Sequence, residues 1–104
     1  MCSRIFPVRG EFMKLSLVIP VYNEEDNLLL LHQKIHEALD PMPDLAWEMV
    51  LVDDGSTDSS REVLEKLAKE DPKFLRVVEF RRNFGQTAAI AAGIDHAQGE
   101  IIVL

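Results

Sequence analysis

Apolar residues gather along the chain in runs of strand length, separated by segments whose apolar positions recur at helical spacing. Residues 15–21 (LSLVIPV) form the first run, and Pro20 marks its end. In the stretch Tyr22-Asn23-Glu24-Glu25-Asp26-Asn27, Asn23 is suited to cap a helix, and three acidic side chains suit a first helical turn. Leu28, Leu31, Ile35 and Leu39 then fall on one helical face, and Pro41 and Pro43 stop the helix.

Residues 47–53 (WEMVLVD) make a second apolar run that ends in acid. The turn after it, Asp54-Gly55-Ser56-Thr57-Asp58, offers Ser56 or Thr57 as a cap for the next helix, as does Ser59, which has capping-box spacing to Glu62. Val63, Leu64, Leu67 and Ala68 form the buried stripe of that helix, and Pro72 lies beyond its end. Residues 74–80 (FLRVVEF) read as a third strand and residues 81–86 as a polar loop containing Gly85. Residues 87–97 read as an alanine-rich helix whose small side chains let it lie close to a sheet. Gly99 precedes a fourth strand at residues 100–104.

The order strand, helix, strand, helix, strand, helix, strand predicts an α/β fold with a Rossmann-like parallel sheet, helices on both faces and right-handed crossovers. The strands are almost continuously apolar, as a sheet covered on both faces requires. A fourth strand beside the first would leave an open apolar edge. The chain is therefore expected to be the N-terminal portion of a longer domain, incomplete at its C-terminus. Residues 1–12 have no clear period and contain Pro7 and Gly10. They read as a loose arm, or as the product of a start placed ahead of a true start at Met13.

Composition narrows the function. At 104 residues the chain is one domain at most, and 47% hydrophobic with 28% charged residues is a globular balance rather than a disordered one. A net charge of −7 argues against a nucleic-acid groove, which needs a basic face. Cys2 is the single cysteine, so there is no internal disulfide framework, and no Cys/His cluster suggests structural zinc. His32 and His36 stand four apart on the first helix, a metal-ligand spacing, but with no HExxH pattern and no legible third ligand. No apolar run approaches the roughly 18 residues of a spanning helix. Arg4, Pro7 and Arg9 interrupt any signal-peptide core in residues 1–12. The expected compartment is the cytoplasm.

Ligands of open parallel sheets bind outside the carboxyl ends of the strands, where the strand order reverses. That rule brings together the loops at residues 20–26, 53–58 and 81–86. One of Asp53 and Asp54 is expected to cap its turn, and the other to face the crevice and accept a base N–H, although DDGS is good turn chemistry in its own right. Tyr22 can stack on a base or pack on the first helix, and Glu24 can hold a ribose hydroxyl or serve as a first-turn charge. Arg81, Arg82 and Gln86 offer donors where a diphosphate would lie, as do the N–H groups that open the third helix. A nucleoside diphosphate at this acidic rim calls for Mg²⁺ or Mn²⁺ as a bridge. GxGxxG is missing after the first strand, no GxxxxGK[ST] occurs, and no Ser-His-Asp arrangement is legible.

Val18-Ile19-Pro20-Val21-Tyr22-Asn23-Glu24-Glu25, Val52-Asp53-Asp54-Gly55-Ser56-Thr57-Asp58, Arg82-Asn83-Phe84-Gly85-Gln86, Ala92-Gly93-Ile94 and Gly99-Glu100 together resemble family 2 glycosyltransferases. Within that family the resemblance is to the dolichol- or polyprenyl-phosphate sugar transferases, and it covers residues 13–104. It implies a GT-A fold and an inverting, metal-dependent transfer from a UDP- or GDP-linked sugar to a lipid phosphate. It also implies a full-length protein at the cytoplasmic face of the membrane. The implied nucleotide-binding set is Pro20, Tyr22, Glu24, Asp53, Asp54 and Ser56, with Asp54 on the base and Asp53 supporting it. Arg82, Asn83, Gly85 and Gln86 would lie by the diphosphate and the acceptor entrance. The family's metal-holding Asp-x-Asp, its catalytic base and its acceptor platform would all fall beyond Leu104. Glu100 stands where Asp is common, and Gln86 where Lys or His is often seen. The alternative reading is a non-catalytic flavodoxin-like nucleotide-binding or regulatory module. A phospho-receiver of that type wants an acid pair after its first strand and a lone Asp after its third. This chain has Tyr-Asn-Glu and Arg-Arg-Asn there.

Overall fold

The computed structural model describes residues 13–103. The expected arm at residues 1–12, with Cys2, and the end of the fourth strand at Leu104 lie outside the described residues. Seven elements alternate as β1 (Met13–Val21), α1 (Leu28–Leu39), β2 (Leu45–Asp53), α2 (Ser60–Glu70), β3 (Leu75–Glu79), α3 (Gln86–His96) and β4 (Glu100–Val103). All pairings are parallel, in the order β3-β2-β1-β4. β2 and β4 flank β1 on opposite sides, so the strand order reverses at β1.

Side-chain alternation divides the strands between two cores. Leu17, Ile19, Val21, Trp47, Met49, Leu51 and Leu75 pack with Leu28 and Ile35 of α1 and Leu64 and Leu67 of α2. Val18, Val50 and Val52 pack on the other face with Ala89 of α3. The result is three layers, helices on both faces of the sheet, as the unbroken apolar runs predict. α3 lies close because Gly93 has no side chain; a Cβ there would collide with Val18. No helix among the described residues is long and apolar enough to cross a membrane.

β1 ends at Val21, one residue past Pro20, so the proline marks the strand's end while staying in register with Val52. Local expectations fail at two places. α1 starts at Leu28 behind Asn27, with no acid in its first turn, so Asn23 does not cap it. Ser59 precedes α2 but makes no side-chain cap bond; the Ser60 N–H donates to Asp58 Oδ1 instead, at 2.8 Å. In each case loop-to-loop contacts outweigh the local preference.

A buried polar network sits at the sheet's lower half. Ser16 and Glu48 are paired across β1 and β2, and the Ser16 hydroxyl donates to Glu48 Oε2 at 2.6 Å. The N–H groups of Gln98 and Gly99 close on Glu48 Oε2 and Ser16 Oγ at 2.8 and 2.9 Å. The network satisfies the buried carboxylate and fastens the chain where it enters β4.

Candidate functional site

The equal lengths and matched register of β1 and β2 bring Val21 and Asp53 out side by side. The loops that follow are stapled to each other. Asn23 takes φ 52°, a conformation that asparagine tolerates. Its N–H donates to Ser56 Oγ at 3.0 Å, and its Oδ1 accepts the N–H groups of Thr57 and Asp58 at 2.8 and 3.3 Å. The Glu24 N–H donates to Ser60 Oγ at 2.9 Å. Ser56 is thus a staple between loops.

The two aspartates divide their work. Asp53 is fully buried: Oδ1 accepts the Ser56 N–H at 3.2 Å, and Oδ2 pairs with Arg61 Nε at 3.3 Å. Arg61 also donates to the Phe80 carbonyl at 2.8 Å, so one guanidinium ties β2, α2 and the end of β3 together. Asp54, 3% exposed, turns toward the third loop. It accepts the Phe84 N–H at 2.8 Å, the Gly85 N–H at 3.1 Å and Asn83 Nδ2 at 3.2 Å. Charge-assisted bonds of this kind contribute about 1.5–3 kcal/mol each. Gly55, at φ 73°, lets the second loop run against the backbone of Arg82 and Asn83, where a Cβ would collide.

A hollow of about 250 Å³ opens between these loops, lined by Pro20, Val21, Tyr22, Glu24, Asp54 and Gln86. Tyr22 is 45% exposed and presents its ring at the mouth. The Glu24 carboxylate accepts from Asn27 Nδ2 at 2.9 Å. Arg82 stacks its guanidinium 4.6 Å from the exposed Phe84 ring. Of the residues picked out from the sequence, Pro20, Tyr22, Glu24, Asp54 and Gln86 therefore share one hollow. Asp53 and Ser56 stand behind it, and Arg82, Asn83 and Gly85 build the adjoining loop. The lining pairs a stacking surface with a carboxylate and an amide, the chemistry of recognising a polar heterocycle and its hydroxyls. Among the described residues its lining has no histidine, cysteine, serine or lysine.

Sequence reasoning missed three contributors. Arg61 looks like an exposed helical charge, Asn23 like a helix cap, and Asp58 like a turn residue. A signal for Asn23 exists in the sequence: asparagine amid turn residues is a natural occupant of positive φ.

The model of the family described as glycosyl transferase family 2 matches residues 16–104. The chain belongs to that family. A dodecaprenyl-phosphate galacturonate synthase of Rhizobium johnstonii is 42% identical over 107 residues, covering 98% of this chain and 31% of its own length. An undecaprenyl-phosphate 4-deoxy-4-formamido-L-arabinose transferase of Salmonella choleraesuis is 42% identical over 90 residues, covering 86% of this chain and 27% of its own length. This family 2 chain thus spans less than a third of either relative. Among solved structures, the mannosyltransferase PcManGT from Pyrobaculum calidifontis, in complex with GDP-Man and Mn²⁺, superposes with a TM-score of 0.74 at 27% identity. The match covers 93% of this chain and 28% of that one. TarS 1-349 of S. aureus superposes with a TM-score of 0.71 at 28% identity, covering 88% of this chain and 27% of that one. The fold is that of GT-A glycosyltransferases.

The hollow itself does not fit a divalent cation. Among the described residues the one convergence of three metal-ligating side chains is His32, His36 and Asp71, none of which lines the hollow. The Asp54 oxygens are already occupied by the third loop.

Proposed function

We propose that this chain is the donor-nucleotide-binding half of an inverting glycosyltransferase that takes a sugar from a UDP- or GDP-linked donor and passes it to a polyprenyl phosphate. The observation that carries the reading is the shared hollow of Tyr22, Glu24 and Asp54 at the point where the strand order reverses. In this reading the base stacks on Tyr22, and Glu24 receives its edge or the ribose hydroxyls. Asp54 forms the floor of the base site and holds the 82–86 loop against it. Asp53 and Ser56 support that floor from behind. Arg82, Asn83, Gly85 and Gln86 lie toward the diphosphate and the acceptor entrance.

The neighbour with GDP-Man and Mn²⁺ supports a metal-dependent donor site, and the two relatives named for polyprenyl phosphates support the acceptor. A divalent cation would neutralise the diphosphate when bound. Its ligands, the catalytic base and the acceptor platform are assigned to segments other than the described residues. The chain alone then binds donor without transferring sugar, and the whole protein acts at the cytoplasmic face of a membrane.

Calorimetry with UDP and GDP in the presence of Mn²⁺ tests the donor site. One of the two should bind, and Tyr22→Ala should weaken it about tenfold or more, the loss of one base–aromatic stack. Equal affinity in the variant, or no affinity for either nucleotide, contradicts the proposal. A radiolabelled-donor assay on the purified chain should give no product.

A further inference from the structure

At the other end of α1 from Glu24, three side chains meet that the donor site does not use. His32 and His36 are one helical turn apart on α1, and both turn Nε2 toward the same atom, Asp71 Oδ2, at 2.8 and 2.6 Å. Asp71 follows the last turn of α2, and its backbone is pinned. Its N–H donates to the Leu67 carbonyl at 2.8 Å, and its carbonyl accepts the N–H groups of Phe74 and Leu75 at 3.3 and 3.0 Å. Behind His36 the rings of Trp47 and Phe74 stack on each other at 4.4 Å, and both meet the imidazole edge-on. Side-chain exposures of 21%, 22% and 16% for His32, His36 and Asp71 leave the group partly dehydrated yet reachable from solvent.

The hydrogen-bond arithmetic of His36 calls for a cation. Its Nδ1 lies 3.0 and 3.1 Å from the two Asp40 oxygens, and its Nε2 lies against Asp71. A neutral imidazole has one N–H. If Nδ1–H goes to Asp40, the Nε2 lone pair points straight at a carboxylate oxygen. A positive charge between Nε2 and Asp71 removes that conflict. His32 offers a second Nε2 to the same spot. An imidazole whose far N–H is held by a carboxylate is the usual support of a metal-bound histidine.

We propose that His32 Nε2, His36 Nε2 and the Asp71 carboxylate bind a divalent transition-metal ion of the zinc class, with Asp40 fixing the His36 ring. Two nitrogens and one carboxylate suit zinc, whereas magnesium and calcium prefer oxygen. Zinc–ligand bonds of about 2.0–2.2 Å in a tetrahedron separate the ligands by roughly 3.4 Å, so Asp71 Oδ2 draws back from each Nε2 by somewhat over half an ångström to admit the ion, the three ligand atoms lying within 4.8 Å of one another. Rotation of the Asp71 side chain supplies most of that. Solvent completes the fourth position. The ion clasps α1 to the end of α2 beside the Trp47–Phe74 stack, away from the donor hollow.

The test is zinc titration of the tag-free, chelator-treated chain by calorimetry, with cobalt as a spectroscopic substitute. One zinc per chain is expected, with visible bands of four-coordinate cobalt and no comparable heat from magnesium. His32→Gln and Asp71→Asn should each weaken zinc more than tenfold, and Asp40→Asn about tenfold, with helical circular dichroism unchanged. No zinc heat overturns the proposal. So does zinc binding undiminished in the His32→Gln/His36→Gln double variant, which would put the ion elsewhere, Cys2 included. Should the variants fail to fold, imidazole nitrogen NMR of the unaltered chain decides. Zinc must shift Nε2 of both histidines, and an imidazolium at His36 that persists under saturating zinc identifies the cation as a proton and overturns the assignment.

Discussion

Asp54 Oδ1 accepts the backbone N–H of Phe84 at 2.8 Å, so the carboxylate that opens the turn after the second strand holds the third strand's loop in place. The floor of the hollow and its side wall are thereby one unit. Asp54→Ala should lower nucleoside diphosphate affinity tenfold or more, since each charge-assisted bond contributes about 1.5–3 kcal/mol. Asp54→Asn, which keeps an acceptor oxygen, should recover part of the loss. Titration calorimetry on both variants measures the difference.

Gly55 makes the same junction possible from the backbone side. Its φ of 73° and its contact with Arg82 and Asn83 leave no room for a methyl group. Gly55→Ala should destabilise the chain by more than about 1 kcal/mol. A urea midpoint equal to that of the parent chain would contradict the close packing of the two loops.

Arg61 is the partner of a fully buried carboxylate. Arg61→Ala leaves Asp53 with the Ser56 N–H as its remaining donor among the described residues. The expected loss is about 1.5–3 kcal/mol of stability. The double variant Arg61→Ala/Asp53→Asn should be less damaged than additivity demands, because it removes the unpaired charge along with its partner.

Glu48 gives the fold a pH dependence. Burial acts to raise its pKa, but the Ser16 hydroxyl, the Gln98 N–H and the charges of Lys14 and Arg76 outweigh it and hold the carboxyl below its ordinary value. A folded pKa below the unfolded one adds stability above the unfolded value, and that stability is lost as pH falls through the folded one. Glu48→Gln should therefore be less stable than the parent at neutral pH by about 1–3 kcal/mol. The gap should narrow under acid. Thermal melts across the acid range measure it, and a gap independent of pH would contradict the network.

The sheet and its helices were legible because strands covered on both faces must be largely apolar, and residues 15–21 and 47–53 are, Ser16, Glu48 and Asp53 apart. The hollow was legible because the switch-point rule depends on strand order alone, and Tyr22, Glu24 and Asp54 all fall within three residues of a strand's end. What escaped the sequence was contact across distance. Asn23 looks like a local cap and Asp58 like a turn residue until the fold sets their loops side by side. Glu48, a charge inside an apolar run, gives no hint of Ser16, which pairs with it from the neighbouring strand. The histidine pair on α1 lacked a third ligand in the sequence because Asp71 arrives from the end of a different helix.

The most direct test is to map where a nucleoside diphosphate sits. Backbone amide NMR of the isotope-labelled chain, titrated with UDP and with GDP, should move the signals of Tyr22, Glu24, Asp54, Phe84 and Gly85. Those around the larger hollow of about 500 Å³ at the other end of the sheet, Trp47 and Phe74 among them, should stay still. Movement confined to Trp47 and Phe74, or no movement with either nucleotide, would contradict the assignment of the strand-tip hollow to the sugar donor.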